Sequence, residues 1–211
     1  MAKVKISKKR TSVDMTAMCD VAFLLLSFFI MTAQARQPEP FPVDAPASTV
    51  QTKLPDSNLA TITIGDSTVF FGVTGQDVRI MMLEKMGEKY NVTFTEDEKK
   101  TFSLIEYFGV DIKQMHSLIA MSASDRARPG IQPGIPLDSA NNQLYDWVLN
   151  ARFASRTLDA KKENPTKRDL DVAIKGGKNI DYPMVKKVID ILQRQKKNNF
   201  YLVTGLRNED F

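Results

Sequence analysis

The sequence predicts an α+β domain that follows a single N-terminal transmembrane helix and a proline-rich linker. Three observations lead to this prediction. Residues 15–35 are almost entirely apolar, residues 36–58 are rich in proline, alanine, serine and threonine, and residues 59–211 alternate strand-forming and helix-forming segments. A chain of 211 residues is long enough for one such domain and an anchor.

The first 14 residues form a basic tail. The bases that precede the first acid are Lys3, Lys5, Lys8, Lys9 and Arg10, whereas the segment just after the apolar stretch mixes bases with acids. Because cationic flanks are retained in the cytoplasm, this asymmetry predicts a cytoplasmic N-terminus and a domain on the other side of the membrane. The net charge of +4 is small, which argues against a nucleic-acid-binding protein.

The apolar stretch Met15–Ala35 contains one acid, Asp20. An aspartate at the middle of a membrane helix costs about 2.5–3.5 kcal/mol, and acids within membranes usually mark proton or ion pathways. At about 100° per residue, four polar side chains fall within about 40° of one another on a helix and form what we call the polar seam: Thr16, Asp20, Ser27 and Gln34. We expect Asp14 to cap the start of the helix.

A cleavable signal peptide is the main alternative for this region. The basic tail, the apolar run Val21–Met31 and the sequence Ala33-Gln-Ala35 together imitate such a signal. Asp20 and the polar seam favour a spanning helix instead, because a cleaved signal has no use for a polar stripe. A helix packed inside a partner does, since the stripe can face protein or water.

Residues 36–58 are predicted to form an extended linker. Its prolines prevent a helix from continuing and favour extended backbone: Pro38, Pro40, Pro42, Pro46 and Pro55. At about 3.1 Å per residue, a fully extended linker of this kind reaches about 70 Å.

The domain from residue 59 onward is predicted to begin with a β-hairpin, Leu59–Ile64 and Thr68–Phe71, around Gly65-Asp66. Helices are predicted to follow at Gln76–Tyr90, Glu96–Phe108, Ile112–Ala123 and Ser139–Ala154, with a loop at 128–136. Trp147 is expected to anchor the core of this helical part.

A strand, a helix and a strand are predicted to close the domain: Asp171–Lys175, Tyr182–Gln195 and Phe200–Val203. The predicted order is therefore ββα, a helical insertion at about residues 84–161, and βαβ. The bases of Arg152–Arg168 and Lys186–Lys197 are interpreted as solvated helix faces.

Three segments resemble the ExbD/TolR family. Asp14–Thr32, DMTAMCDVAFLLLSFFIMT, is similar to its signature, Asp-x-Thr-Pro-Met-x-Asp followed by an aliphatic and aromatic run that ends near a threonine. Val43–Ser48 resembles a short Leu-Pro-Ala-type motif beyond the membrane. Asp171–Val185 with Phe200–Thr204 is similar to the closing strand, helix and strand. The resemblance covers residues 10–75 and 168–205.

The chain departs from the family pattern at several points. Ala17 stands where the family usually has proline, and Gly176-Gly177 replaces the commoner Ala-Asp. The helical segment 84–161 is far longer than the corresponding part of a short family member, and no motif assigns it a role.

The resemblance implies a single-span subunit of an inner-membrane complex driven by the proton motive force. A multi-span ExbB/TolQ-like protein would surround two copies of the helix, and Asp20 matches the aspartate that gains and loses a proton. The periplasmic domain would dimerise and engage a TonB- or TolA-like protein, with a partner-contact motif at Val43, Asp44, Ala45, Pro46 and Ala47.

Alternatives to a TonB-type role stay open at this point. A TolR-like role in an envelope-integrity complex would use the same residues, and a secreted binding module behind a cleaved signal represents a different class. An enzyme is not expected, because the chain lacks a phosphate-binding loop and paired metal ligands, and its one histidine, His116, has no supporting cluster. We expect neither a cofactor nor a metal.

Overall fold

The computed structural model describes residues 15–33, 54–65, 68–138, 141–166, 168–177 and 180–203, together with the backbone of 47–48 and 205–206. The chain divides into two compact units, residues 1–36 and 37–211, which are described separately. The first unit contains helix α1, Met15–Thr32.

The second unit alternates strands and helices. Its described strands are β1 (Ala47–Ser48), β2 (Leu59–Ile64), β3 (Val69–Val73), β4 (Tyr107–Phe108), β5 (Asp171–Gly176), β6 (Tyr201–Val203) and β7 (Gly205–Leu206). Its described α-helices are α2 (Gln76–Tyr90), α3 (Glu96–Ser103), α4 (Met115–Ala120), α5 (Ala123–Arg126), α6 (Gln143–Ala160) and α7 (Tyr182–Arg194), and a 3₁₀ turn at Ile112–Gln114 precedes α4.

A five-stranded mixed sheet organises this unit, in the order β4-β3-β2-β5-β6. The hairpin strands β2 and β3 are antiparallel, whereas β5 and β6 run parallel to β2. The register aligns one row of apolar residues across the sheet: Phe108, Phe71, Ile62, Ile174 and Leu202. Alternation along each strand then places their neighbours on the opposite face.

The core covers this apolar row except at Leu202 of the edge strand β6, which is 63% exposed. Phe71, Phe108 and Ile62 are buried, as are Leu83 of α2 and Leu192 of α7. Helix α6 packs on α2, and its Trp147 is fully buried, with its ring centroid 4.7 Å from that of Phe108. The segment between α2 and β5 therefore shares one core with the sheet.

Local sequence signals account for several helix ends. Asn91 adopts the left-handed conformation after α2, and its N–H donates to the Gly87 carbonyl. Thr95 and Glu98 form a capping box at the start of α3. The Asn142 side chain accepts a 3.0 Å hydrogen bond from the Tyr145 N–H at the start of α6.

The mixed α+β class and the order of the outer elements are confirmed. The structure has β2 and α2 at the predicted bounds, and it has β3, β5, α7 and β6 within two residues of theirs. Helix α7 packs into the core through buried Val188, Ile191 and Leu192.

The helical segment departs from prediction at three points. The predicted helix Glu96–Phe108 is wrong beyond Ser103, because Tyr107 and Phe108 pair with β3 and Phe108 enters the core. The predicted helix Ile112–Ala123 is divided into the 3₁₀ turn, α4 and α5, because Met121 is extended and Ser122 caps a new helix.

The helix predicted at Ser139–Ala154 lies at Gln143–Ala160 instead. Its start is fixed by the Asn142 cap, and burial of Ser155 and Asp159 carries the helix past Ala154.

Candidate functional site

Helix α1 presents nearly all of its side chains outward. It is 18 residues long and has no buried residue, and its apolar side chains are about half exposed or more, as at Leu25 (52%) and Phe29 (64%). At about 1.5 Å per residue it extends about 27 Å, close to the thickness of the hydrocarbon core. Within the described residues it is the one helix long and apolar enough to cross a membrane, a test that an N-terminal signal sequence also passes.

The helical conformation of 15–32 places three residues of the predicted polar seam on one face. At about 100° per residue, Thr16 lies about 40° from Asp20 around the helix axis, and Ser27 lies between them, about 20° from Asp20. Ser27 is the one residue of α1 that its neighbours partly cover, and Asp20 is exposed. Near the end of the helix, the Thr32 hydroxyl donates to the Phe28 carbonyl at 2.8 Å, so this threonine is bound to its own backbone.

The other predicted site residues are only partly described. Asp14, Gln34 and the range 43–46 lie outside the described residues. Ala47, the last residue of the predicted partner-contact motif, belongs to β1, whose backbone pairs in parallel with β7 through Ala47 and Gly205. This places the end of that motif beside the C-terminal part of the chain.

The domain contains a charged cluster that we call the Asp169 cluster: Arg152 and Arg156 of α6, Asp169 just before β5, and Lys197 just after α7. Arg152 Nη2 lies 2.7 Å from Asp169 Oδ2, Arg156 Nε 3.2 Å from Oδ1, and Lys197 Nζ 3.7 Å from Oδ2. Burial alone would raise the pKa of Asp169, but the hydrogen bond from Arg152 and the three positive charges outweigh it, so that the pKa lies below its ordinary value.

The interpretation of the bases as solvated is wrong for Arg152 and Lys197 of the Asp169 cluster. The side chain of Arg152 is 12% exposed and that of Lys197 is 10% exposed, whereas Arg156 is 61% exposed. Arg152 also donates to the Gln195 carbonyl at 2.9 Å, so the cluster joins α6 to the start of β5 and the end of α7. The sequence signal, an acid just before a strand, gives no hint of its distant partners.

The side chain of His116 contacts Glu98 and Phe94 within the domain. Its Nδ1 lies 2.6 Å from Glu98 Oε1, and its ring packs at 4.8 Å from that of Phe94. The hydrogen bonds from His116 and from the Thr95 backbone hold the pKa of Glu98 below its usual range. Among the described residues, no group of three or more His, Cys, Asp or Glu side chains is arranged to hold a metal ion.

An open cavity of about 570 Å³ lies at the junction of α2 and α3. Its charged lining includes Glu84, Glu88 and Lys99. Lys99 is already bound by Glu84 and Glu96, each at 2.8 Å, so its positive charge is matched within the fold. The charge of Lys99 is therefore not available to a ligand of this cavity.

The described ionisable side chains thus fall into two groups. The apolar helix α1 carries one carboxylate, Asp20, whereas the charged residues of the Asp169 cluster join elements of the domain to one another. A family model for the biopolymer transport protein ExbD/TolR matches residues 7–206. No curated protein sequence and no solved structure matches the chain. The matched family is one of transport proteins, not of enzymes. Because the match covers nearly the whole sequence, the chain belongs to the ExbD/TolR family.

Proposed function

We propose that this protein is the proton-coupled subunit of a TonB-type energy-transducing complex in the inner membrane. In this proposal, residues 1–14 are cytoplasmic, residues 15–35 cross the membrane, residues 36–58 form the linker, and residues 59–211 form the periplasmic domain. The partners are an ExbB/TolQ-like multi-span protein and a TonB- or TolA-like protein, and the chain functions as a homodimer.

The observation that supports this proposal best is Asp20 on the outward-facing helix α1, within a chain that the ExbD/TolR model matches. An ionised carboxylate is strongly disfavoured in an apolar environment unless a hydroxyl, water or cation receives it. A neutral carboxyl can face an apolar wall. Gain and loss of a proton at Asp20 would therefore change which partner surface α1 can contact.

The available energy suits a conformational bias of this kind. One charge moved through the whole membrane potential is worth about 2.3 kcal/mol per 100 mV. That free energy is enough to shift a two-state equilibrium by about fiftyfold, but too small to break a well-packed interface. In this proposal Thr16, Ser27 and Gln34 support the path of the proton along the polar seam.

Substitution of Asp20 tests the mechanism. We expect Asp20→Asn to abolish energy-dependent uptake across the outer membrane, because asparagine cannot exchange a proton, while membrane insertion and co-purification with the multi-span partner persist. Uptake driven by the proton gradient is the measurement. Asp77→Asn is a matched control, since Asp77 is an exposed acid of α2 outside the membrane helix, and it should retain uptake. Normal uptake by Asp20→Asn would contradict the mechanism.

The signal-peptide alternative has a separate test. The intact mass of the protein from the membrane fraction should include residues 1–35. A mature chain that begins at Arg36 would lack Asp20 and would favour a secreted binding module instead.

A TolR-like role is the second candidate, because the matched family includes both types. Growth phenotypes of a deletion strain distinguish them. Starvation for iron or vitamins supports the TonB-type role, whereas detergent sensitivity or defective septation supports the Tol-type role.

A further inference from the structure

Arg79 is an arginine in the first turns of α2 that is buried without a full set of hydrogen bonds. The residue is 8% exposed, and its Nη1 has no hydrogen-bond partner among the described residues. Arginine is rarely buried unless it is paired, and an unsatisfied buried donor destabilises a fold. The position therefore provides a donor that an incoming acceptor would satisfy.

The contacts of Arg79 place its guanidinium beside the start of α2. Its Nε donates to the Gly75 carbonyl at 3.4 Å. Burial lowers the pKa of Arg79, and the negative charge of Glu106 and the phenol of Tyr107 partly oppose that effect. Glu106 is thus near enough to act on Arg79 through its charge, although it accepts no hydrogen bond from Nη1.

The adjacent end of α2 is open to solvent. Gly75 occupies the N-cap with a φ of 97° and provides no side-chain cap, and Gly75, Gln76 and Asp77 are exposed. The free N–H groups of a helix start carry a partial positive charge that attracts anions. Together with the guanidinium they make this end of the helix electropositive, although the exposed carboxylate of Asp77 lies in the same turn.

The opposite wall is built by β4 and the residue that precedes it. A Cβ at Gly72 would lie 2.5 Å from both the Glu106 carbonyl oxygen and a carbon of the Tyr107 ring, so the ring packs directly on the β3 backbone. Tyr107 is half-buried, whereas Glu106 is exposed. The two groups whose charges act on Arg79 therefore lie at the edge of the sheet, where β4 is the outermost strand.

We propose that the start of α2 and the start of β4 form a binding site for a carboxylate group, with Arg79 as its anchor. A carboxylate matches the planar, bidentate geometry of a guanidinium and accepts charge-assisted hydrogen bonds. The site would therefore lie between the start of α2 and the start of β4. Its ligand is a carboxylate-bearing molecule, either a small organic acid or an acidic segment of a partner protein.

Calorimetric titration of the full chain in detergent with a hexaglutamate peptide tests this site. We expect saturable binding at constant ionic strength, and at least about tenfold weaker binding to Arg79→Met, since a charge-assisted hydrogen bond is lost. Arg128→Met removes the same charge from an arginine whose side chain is 70% exposed and should bind as the wild type does. Glu106→Gln should bind as tightly or more tightly.

Amide hydrogen exchange provides a measurement that needs no variant. Hexaglutamate should slow exchange at residues 76–80 of the wild type, whereas hexaserine should not. Sodium acetate that competes with the peptide would assign the site to small carboxylates, and failure to compete would assign it to an acidic protein segment.

Several results would overturn the proposal. These are no binding at constant ionic strength, equal weakening by Arg79→Met and Arg128→Met, or protection confined to other segments. A fourth result concerns Glu106→Gln. The proposal is overturned if this variant lowers the thermal midpoint as much as Arg79→Met does and binds hexaglutamate no more tightly than the wild type. Glu106 would then be the carboxylate that occupies the site.

Discussion

The two units of the chain use apolar side chains in opposite ways. In α1 the large apolar residues are exposed, as at Phe23 (68%) and Ile30 (68%), whereas Phe71, Phe108 and Trp147 of the domain are buried against one another. The domain therefore satisfies its own hydrophobic surface, and α1 requires lipid or another protein to cover its surface.

The charged residues differ in the same way. Asp169 is surrounded by Arg152, Arg156 and Lys197 within the domain, so its carboxylate stabilises the fold. Asp20 lies exposed on a helix that has no buried residue. This difference supports the proposal of proton exchange at Asp20, whereas Asp169 has a structural role within the domain.

The largest effect is expected at Trp147. Trp147→Ala should lower the free energy of unfolding of the domain by about 3–5 kcal/mol, because it opens a cavity next to Phe102 and Phe108. The measurement is urea unfolding of the full chain in detergent, followed by circular dichroism. If the two units are independent, the helical signal of α1 should persist after the domain unfolds.

Two further variants at α6 sharpen this test. Trp147→Phe should cost less, because it keeps a ring in the core and removes the Trp147 Nε1 donor, which has no hydrogen-bond partner among the described residues. Leu149→Ala, at a position 44% exposed on the same helix, should change stability by less than about 0.5 kcal/mol. Equal losses for Trp147→Ala and Leu149→Ala would show that α6 is not part of the core.

The sequence predicted those elements whose signals are local. The alternation in Leu59–Ile64 and the helical spacing up to Tyr90 placed β2 and α2 correctly. The predicted helix beyond Ser103 was wrong because Tyr107 and Phe108 pair with β3, more than thirty residues earlier in the chain. Propensity within a short window cannot detect a partner at that distance.

The candidate sites show the same limit. Asp20 is detectable from the sequence because one acid within an apolar stretch is already anomalous. Asp169 looks ordinary, and only the fold brings Arg152 and Lys197 to it. Arg79 is hidden for the same reason, since Glu106 and Tyr107, whose charges act on it, lie more than twenty residues later in the chain.

An intermediate effect is expected at the Asp169 cluster. Asp169→Asn should lower the free energy of unfolding by about 1–3 kcal/mol, because it leaves Arg152, whose side chain is 12% exposed, without its ionic partner. Fluorescence of Trp147, the one tryptophan of the chain, reports the unfolding in urea. Glu163→Gln, at an exposed position outside the helices, is the control and should have little effect.

The difference in stability between the wild type and Asp169→Asn should depend on pH, because the pKa of Asp169 is lowered in the folded state. Because the folded state holds this proton more weakly than the unfolded state, the stabilisation is complete above the ordinary aspartate pKa of about 4 and is lost as the pH falls through the lower folded pKa. The stabilities of the wild type and Asp169→Asn should therefore begin to converge as the pH falls below about 4, and should converge fully only below the folded pKa of Asp169. A difference that stays constant down to pH values well below that range would show that Asp169 acts through packing rather than through charge.

The smallest effect is expected at the start of α3. The Thr95 hydroxyl accepts a hydrogen bond from the Glu98 N–H at 3.3 Å, while Glu98 Oε2 accepts one from the Thr95 N–H at 2.8 Å. Thr95→Ala should remove the first of these and cost about 1 kcal/mol, whereas Thr95→Ser should retain most of the stability. Urea unfolding followed by Trp147 fluorescence measures both. Phe102 of α3 is buried, and its ring stacks on that of Trp147. If Thr95→Ala only frays the start of α3, the unfolding transition seen by Trp147 fluorescence should not change. That result would show that the start of α3 unfolds locally while the core stays folded. A shift in the global unfolding midpoint would instead show that the segment between α2 and β5 unfolds together with the sheet, as its shared core predicts.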